Sequence, residues 1–261
     1  MGRVAELYRY PVKSMQGERV ERLEFVAGAA SGDRQWALVD ATTGVFLSAK
    51  RHGRLLEAFA RTEADGSVVI RLPDGADVCT LDGVANAALS DWLGHAVELR
   101  TPADGIAPAY ESLSDSTDED SATTTFQGPS AHFADFADVH LLTTASLRAA
   151  KALQPAGDWD VRRFRPTVLV DMGDDSQLRG EGFVEDEWVG SRVVLGAGAT
   201  FVIFMKTIRC NLPTRAQPGL PKDASVARTL RDQHDFCLGV YGALRGAGVV
   251  NTGDPVVLQS A

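Results

Sequence analysis

Residues 199–223 read ATFVIFMKTIRCNLPTRAQPGLPKD. The first ten are rich in β-branched and aromatic residues, the composition of a strand. The run ends at Cys210, directly after Arg209. Beyond it Pro213, Pro218 and Pro221 forbid regular structure, so a stiff loop follows. Cations beside a thiol favour its thiolate. On an ideal strand Arg209 points away from Cys210, while Lys206 and Ile208 share its face. Lys206 is therefore the neighbour expected to act on the sulfur, the bland alternative being an inert core cysteine. Cys79 and Cys237 read as core-strand cysteines. His140, inside an apolar run, reads as a hydrogen-bonded core histidine.

The same strand signature recurs along the chain. VAELYRYPV, RVERLEFVA and QWALVDATTGVFLSA alternate apolar and polar residues, with a turn at Thr43–Gly44. TVLVDM, RVVLG, CLGVYGAL and GDPVVLQ continue the pattern in the second half. Helical spacing is confined to GVANAALSDWLG, closed by Gly94, to ASLRAAKAL, opened by Thr143 or Thr144, and to DASVARTLRDQ, opened by Asp223 or Ser225. Many short strands with few helices predict a β-rich α+β chain of barrel character. Residues 102–130 are rich in Ser, Thr, Asp and Glu and predict a solvated, mobile acidic linker, densest at Glu111–Ser121. The expected division is 1–101, linker 102–130, and 131–261.

Length and charge narrow the function. At 261 residues, one large or two medium domains are expected. A net charge of −9 argues against a general nucleic-acid binder but leaves room for a local basic pocket. Three scattered cysteines without a CxxC point away from a disulfide framework or zinc ribbon, toward a reducing cytoplasm. The start is charged too early for a secretory signal, and no apolar run approaches membrane-spanning length. P-loop, GxSxG and HExxH patterns do not occur.

What remains is a set of basic and hydroxylic residues at strand–loop edges: Lys13 and Ser14 in YPVKS, Arg34 in GDRQW, and Arg162, Arg163 and Arg165 in DVRRFRP. Such groups hold phosphate or another oxyanion. At DVHLLTTASL a strand runs into a helix start, whose free N–H groups also suit an anion.

YRYPVKSMQGE, GDRQWALVD, DVHLLTTASL, DVRRFRPTVLV, IRCNLPT and GDPVVL occur in the order seen in the MOSC-domain (molybdenum cofactor sulfurase C-terminal) family. The chain resembles its two-part type, an N-terminal β-barrel region followed by the MOSC domain, as in the mitochondrial amidoxime-reducing component and bacterial relatives. The resemblance spans about Val4 to Leu258. It implies a pterin molybdenum cofactor carrying a phosphate, with Cys210 as the metal ligand. It implies cofactor contacts from Lys13, Ser14, Arg34, Thr143, Thr144, Ala145, Arg165 and Arg209. The implied reaction is reduction of a small N-oxygenated substrate, with electrons from a separate redox protein. A persulfide carrier on Cys210 and a non-catalytic cofactor carrier are the alternatives. No pyridoxal phosphate domain and no iron–sulfur cysteine run is expected, nor a nucleic-acid or membrane partner. The chain departs from the reductase pattern where Pro213 replaces a Thr, Ala216 or Gln217 falls on an Asp position, and Thr167 replaces the Asn of FRPN. The reading requires Lys13, Arg34, Arg165 and Cys210 to converge on one pocket.

Overall fold

The computed structural model describes residues 2–26, 28–105, 109–113, 121–127, 132–134, 136–173 and 182–259. Its centre is a mixed eight-stranded sheet. Six of its strands come from the second half: β12 (Val139–Thr143), β13 (Val168–Asp171), β14 (Arg192–Leu195), β15 (Ala199–Ile208), β16 (Cys237–Gly246) and the edge strand β18 (Val256–Gln259). The other end is closed by the first strands of the chain, β1 (Arg3–Arg9) and β2 (Glu18–Val20). The order is β18-β14-β15-β16-β12-β13-β1-β2. β12 and β13 run parallel, joined through α2 (Thr144–Leu153); the other neighbours are antiparallel. A bridge between Arg3 and Pro255, with Val256 N–H donating to the Gly2 carbonyl, curls the sheet back on itself.

Alternation along these strands builds two cores. Leu141, Val168, Val170, Val193, Phe201, Ile203 and Val240 face inward, where Phe25 meets Phe201 edge-on at 4.9 Å. Leu142, Leu169 and Leu238 face outward and are covered by α2 and by α3 (Ala224–His234) through Ala150, Val226 and Leu230. Both helices start where the sequence placed their caps. Thr143 Oγ1 accepts from Ser146 N–H at 3.0 Å, and Asp223 Oδ1 accepts from Ser225 N–H at 2.9 Å.

β3 (Arg22–Val26) pairs with β4 (Ala29–Ala30) and with β17 (Gly248–Asn251), and their Leu23, Phe25, Ala30 and Val250 join the inward core. The remaining strands form smaller sheets of their own. β5 (Ala37–Asp40) pairs with β9 (Val97–Arg100), and β6 (Phe59–Thr62), β7 (Val68–Arg71) and β8 (Asp77–Cys79) form a meander. They share a core of Val12, Leu38, Leu55, Ile70, Leu89 and Leu99 with α1 (Ala85–Leu93). α1 ends at Gly94 in the left-handed conformation, φ +80°, as the sequence predicts.

Two expectations are altered. Part of the acidic stretch forms an antiparallel hairpin, β10 (Ala109–Leu113) with β11 (Thr123–Gln127). Tyr110 is the reason: its ring is buried against Phe46, and a bridge ties the two residues together. Residues 114–120 of the stretch lie outside the described residues. Second, β1 sits between β13 and β2, so the 102–130 stretch divides the sequence but not the sheet.

Candidate active site

A cleft opens where β12, β13, β15 and β16 meet the loops that follow β1 and β5. Its described lining includes Lys13, Ser14, Arg34, Ser48, Lys50, His140, Arg165, Thr167, Arg209, Cys210 and Tyr241. Its cavity volume is about 120 Å³, and it widens into open solvent. Lys13, Ser14, Arg34, Arg165, Arg209 and Cys210, distant in sequence, are brought together here.

Each motif is fastened to the next. The loop after β1 runs against the GDRQW turn, with Lys13 N–H donating to the Trp36 carbonyl at 2.8 Å and Arg34 N–H to that of Tyr10 at 2.7 Å. Lys13 Nζ donates to the Phe133 carbonyl at 2.9 Å and lies 4.0 Å from the centre of the Tyr110 ring. Arg165 Nη1 donates to the Met15 carbonyl at 2.7 Å, and Arg209 Nη2 to that of Phe164 at 2.8 Å. The Tyr10 ring is sandwiched between Arg165 at 4.1 Å and Arg34 at 4.9 Å. Burial pushes its phenol up to about 12, against the pull of the two arginines. Arg34 also pairs with Asp33.

Three hydroxyls complete the lining. Ser14 Oγ accepts from Ala49 N–H at 3.0 Å, Ser48 Oγ from Lys50 N–H at 3.3 Å, and Thr167 Oγ1 from His140 N–H at 3.4 Å. Each oxygen already serves a backbone donor, so its own proton is what it can offer a ligand. The described lining holds no Asp or Glu. Arg209 Nε is buried without a hydrogen-bond partner among the described residues. Cations and O–H donors form an anion-accepting surface.

The backbone is under strain at the same place. Ser14, Arg34 and Arg165 adopt φ of +68°, +49° and +53°. These are left-handed values uncommon for residues with a β-carbon. Such strain at a ligand-facing surface fits a preorganised site.

His140 is buried and neutral. Burial, then nearby Arg209, holds its imidazole well below the ordinary histidine range, and Nδ1 lies 3.4 Å from the Arg165 carbonyl. It is thus more than a core residue, because it also forms a wall of the cleft. Register explains the placement: Tyr241 pairs with His140 across β12–β16, and their rings pack edge-on at 5.5 Å. The sequence reading missed Ser48, Lys50, Phe136 and Tyr241. The signal for Ser48 and Lys50 was present, a Ser and a Lys close together at the end of an apolar run, as Lys13 and Ser14 are in YPVKS.

Other residues lie elsewhere. Lys206 is not in the lining; its Nζ pairs with Asp186 at 2.9 Å, in a group with His234. The face-sharing argument failed because β15 carries irregularities at Ile203/Met205 and Lys206/Ile208 that break simple alternation. Thr143, Thr144 and Ala145 sit at the far end of β12 from His140 and do not line the cleft. Thr143 donates to Glu185 Oε2 at 2.6 Å and Thr144 to Asp171 Oδ1 at 2.9 Å. The acceptor at this helix start is internal: the Glu185 carboxyl, fully buried, takes hydrogen bonds from Thr143 and Ser146. Cys79 and Cys237 are free thiols, and burial raises that of Cys237.

Among the side chains that hold the loop after Cys210, one reaches three of its carbonyls. Arg163 is fully buried and donates to the carbonyls of Pro213 and Arg215, both at 3.1 Å, and of Pro221 at 2.8 Å. It also pairs with Asp158 at 2.8 Å. Asn211 Nδ2 donates to the Lys50 carbonyl at 3.3 Å, joining the loop to the opposite wall.

Residues 1–107 match the model of the MOSC N-terminal beta barrel domain and residues 128–257 that of the MOSC domain. Among solved structures, the YuaD protein of Bacillus subtilis superposes with a TM-score of 0.51 over 100% of this chain and 96% of its own, at 12% identity; that likeness concerns the fold. YiiM from Geobacillus stearothermophilus aligns with 48% of this chain and 55% of its own, at 16% identity and a TM-score of 0.33. No curated protein matches the sequence. No helix among the described residues is long and apolar enough to cross a membrane.

Proposed function

The chain belongs to the MOSC family, and on that premise we propose that its cleft holds a phosphate-bearing pterin molybdenum cofactor and reduces a small N-oxygenated substrate. One observation carries the reading. Cys210 shares a cleft whose described lining has no carboxylate with Lys13, Arg34, Lys50, Arg165 and Arg209. A thiolate is a soft metal ligand, and the surrounding cations and O–H donors suit an anionic group.

In this reading Lys13, Ser14, Arg34 and Arg165 hold the phosphate and pterin, and Arg209 adds positive charge to the lining. Cys210 Sγ is the protein's ligand to molybdenum. When bound, the cofactor supplies two-electron redox chemistry, drawn from a separate electron-donor protein. The chain's own part is to anchor and orient. Neutral His140 adds no charge to the wall, and Phe136 and Tyr241 narrow the mouth, keeping water from the reacting side.

The test is metal analysis and the visible spectrum of wild type and Cys210→Ser after expression with ample cofactor. About one molybdenum per chain, lost or spectrally altered in the variant, is expected. Reduction of a hydroxylamine by a chemical electron donor should vanish with it. Wild type without molybdenum but with a cyanide-labile sulfur on Cys210 would sink the proposal in favour of sulfur transfer. Cofactor held equally with and without Cys210, and no turnover, would leave a carrier.

A further inference from the structure

A second basic pocket lies behind the Cys210 loop, and the family reading does not use it. One wall is a face of α3. Ala224, Ala227, Arg228 and Arg231 fall at i, i+3, i+4 and i+7, while Val226 and Leu230 turn to the core. The two alanines leave the floor open between the arginines. The other wall is the loop from Asn211 to Lys222, contributing Asn211, Thr214, Arg215 and Lys222. The enclosed volume is about 250 Å³.

Four cations meet here, in a chain of net charge −9, and the described lining has no carboxylate. Arg228 makes no hydrogen bond or ion pair among the described residues, and the ion pair of Arg231 with its neighbour Asp232 is exposed and readily displaced. The helix end is not the attraction, since Asp223 already caps it. The pocket lies along the flank of α3, and its loop wall is fixed from behind by fully buried Arg163. Asn211, nine-tenths buried, is the back wall and the residue next to Cys210. Like charges held this close raise the potential of the pocket, and a multiply charged anion relieves it.

We infer that this pocket is a second anion site, which takes the phosphate group of a small phosphate monoester. The Arg228 and Arg231 guanidiniums present forked donors to tetrahedral oxygens, and Arg215, which already donates to the Lys50 carbonyl, adds charge from the loop wall.

The test is calorimetric titration of the full chain with ribose 5-phosphate at constant ionic strength. Wild type, the double variant Arg228→Ala/Arg231→Ala and the cleft variant Lys13→Ala are compared, with thermal melts to confirm folding. Both arginines are exposed, so the double variant keeps its core. Binding weakened about tenfold or more by the double variant, and left within about twofold by Lys13→Ala, is expected. No heat from wild type up to about 1 mM ligand overturns the site. So does binding that survives the double variant, or that only Lys13→Ala removes, which would place the phosphate in the main cleft.

Discussion

Replacing Arg163 by Met tests whether one side chain holds the Cys210 loop. The aliphatic stem is kept, so little cavity is made. What is lost is a fully buried guanidinium and its bonds to the carbonyls of Pro213, Arg215 and Pro221. Bonds with a charged partner contribute about 1.5–3 kcal/mol each. The loop lies near the surface, so water can reach some of the released carbonyls, and the lower figure applies. The Asp158 carboxylate is about a third exposed, 32%, and its pairing adds under about 1 kcal/mol. The expected loss is about 4 kcal/mol. For a chain of this length that lowers Tm by about 10 °C. Urea unfolding followed by circular dichroism measures it. Limited proteolysis should then cut first within residues 211–222, and Cys210 should react faster with a thiol reagent. A loss below about 1 kcal/mol, with unchanged cleavage, would refute the reasoning. Arg163→Lys should recover only part, because an ammonium cannot span carbonyls on three sides.

Three further outcomes follow from buried groups. Burial raises the Glu185 carboxyl above its ordinary value, so the folded state holds its proton where the unfolded chain has released it. Stability from the neutral form is complete below the ordinary glutamate value and is lost as pH rises through the folded value, by up to about 1.4 kcal/mol per pH unit. Glu185→Gln should flatten that slope in denaturant titrations across pH 4–8; an unchanged slope would locate it elsewhere. Tyr10→Leu removes the ring between Arg34 and Arg165 and should cost about 2 kcal/mol, whereas Tyr10→Phe should cost under about 1 kcal/mol. In an ultraviolet titration of Tyr10→Phe against wild type, the missing phenol should be one that ionises near pH 12. Gly239→Ala should cost about 3 kcal/mol by thermal melt. Gly239 has φ +83°, and a β-carbon there would sit 2.4 Å from His140 Nε2 and 2.7 Å from the Leu141 carbonyl.

Local chemistry made much of the fold legible. Thr143, Asp223 and Gly94 end or begin helices for reasons contained in a few neighbouring residues, and alternation marked the strands of both halves. The cleft was legible as far as its cations and Cys210 announce themselves by type. What escaped depends on contacts made at long range. No local pattern shows the irregularities of β15 that take Lys206 to Asp186, since only pairing with β16 reveals them. Glu185 fills the start of α2 from about forty residues downstream, so a helix start that looked open to a ligand is already satisfied. No neighbour of Tyr110 in sequence marks it for burial, since Phe46 and Lys13, which meet it, lie far upstream.

The position of β1 has a consequence for how the chain is made. Residues 3–9 emerge from the ribosome long before one of their two partners in the sheet, residues 168–171. Closing a loop of that length is slow, and the first strand, which can pair early only with nearby β2, must wait with its other edge open until residues 168–171 have been synthesised. A fragment beginning at residue 131 would expose the vacant edge of β13, and one ending at residue 101 would carry β1 and β2 without a sheet to join. Expression of either half alone should give aggregated protein. Co-expression of the two should restore a folded pair, joined through an interface that is the interior of one sheet.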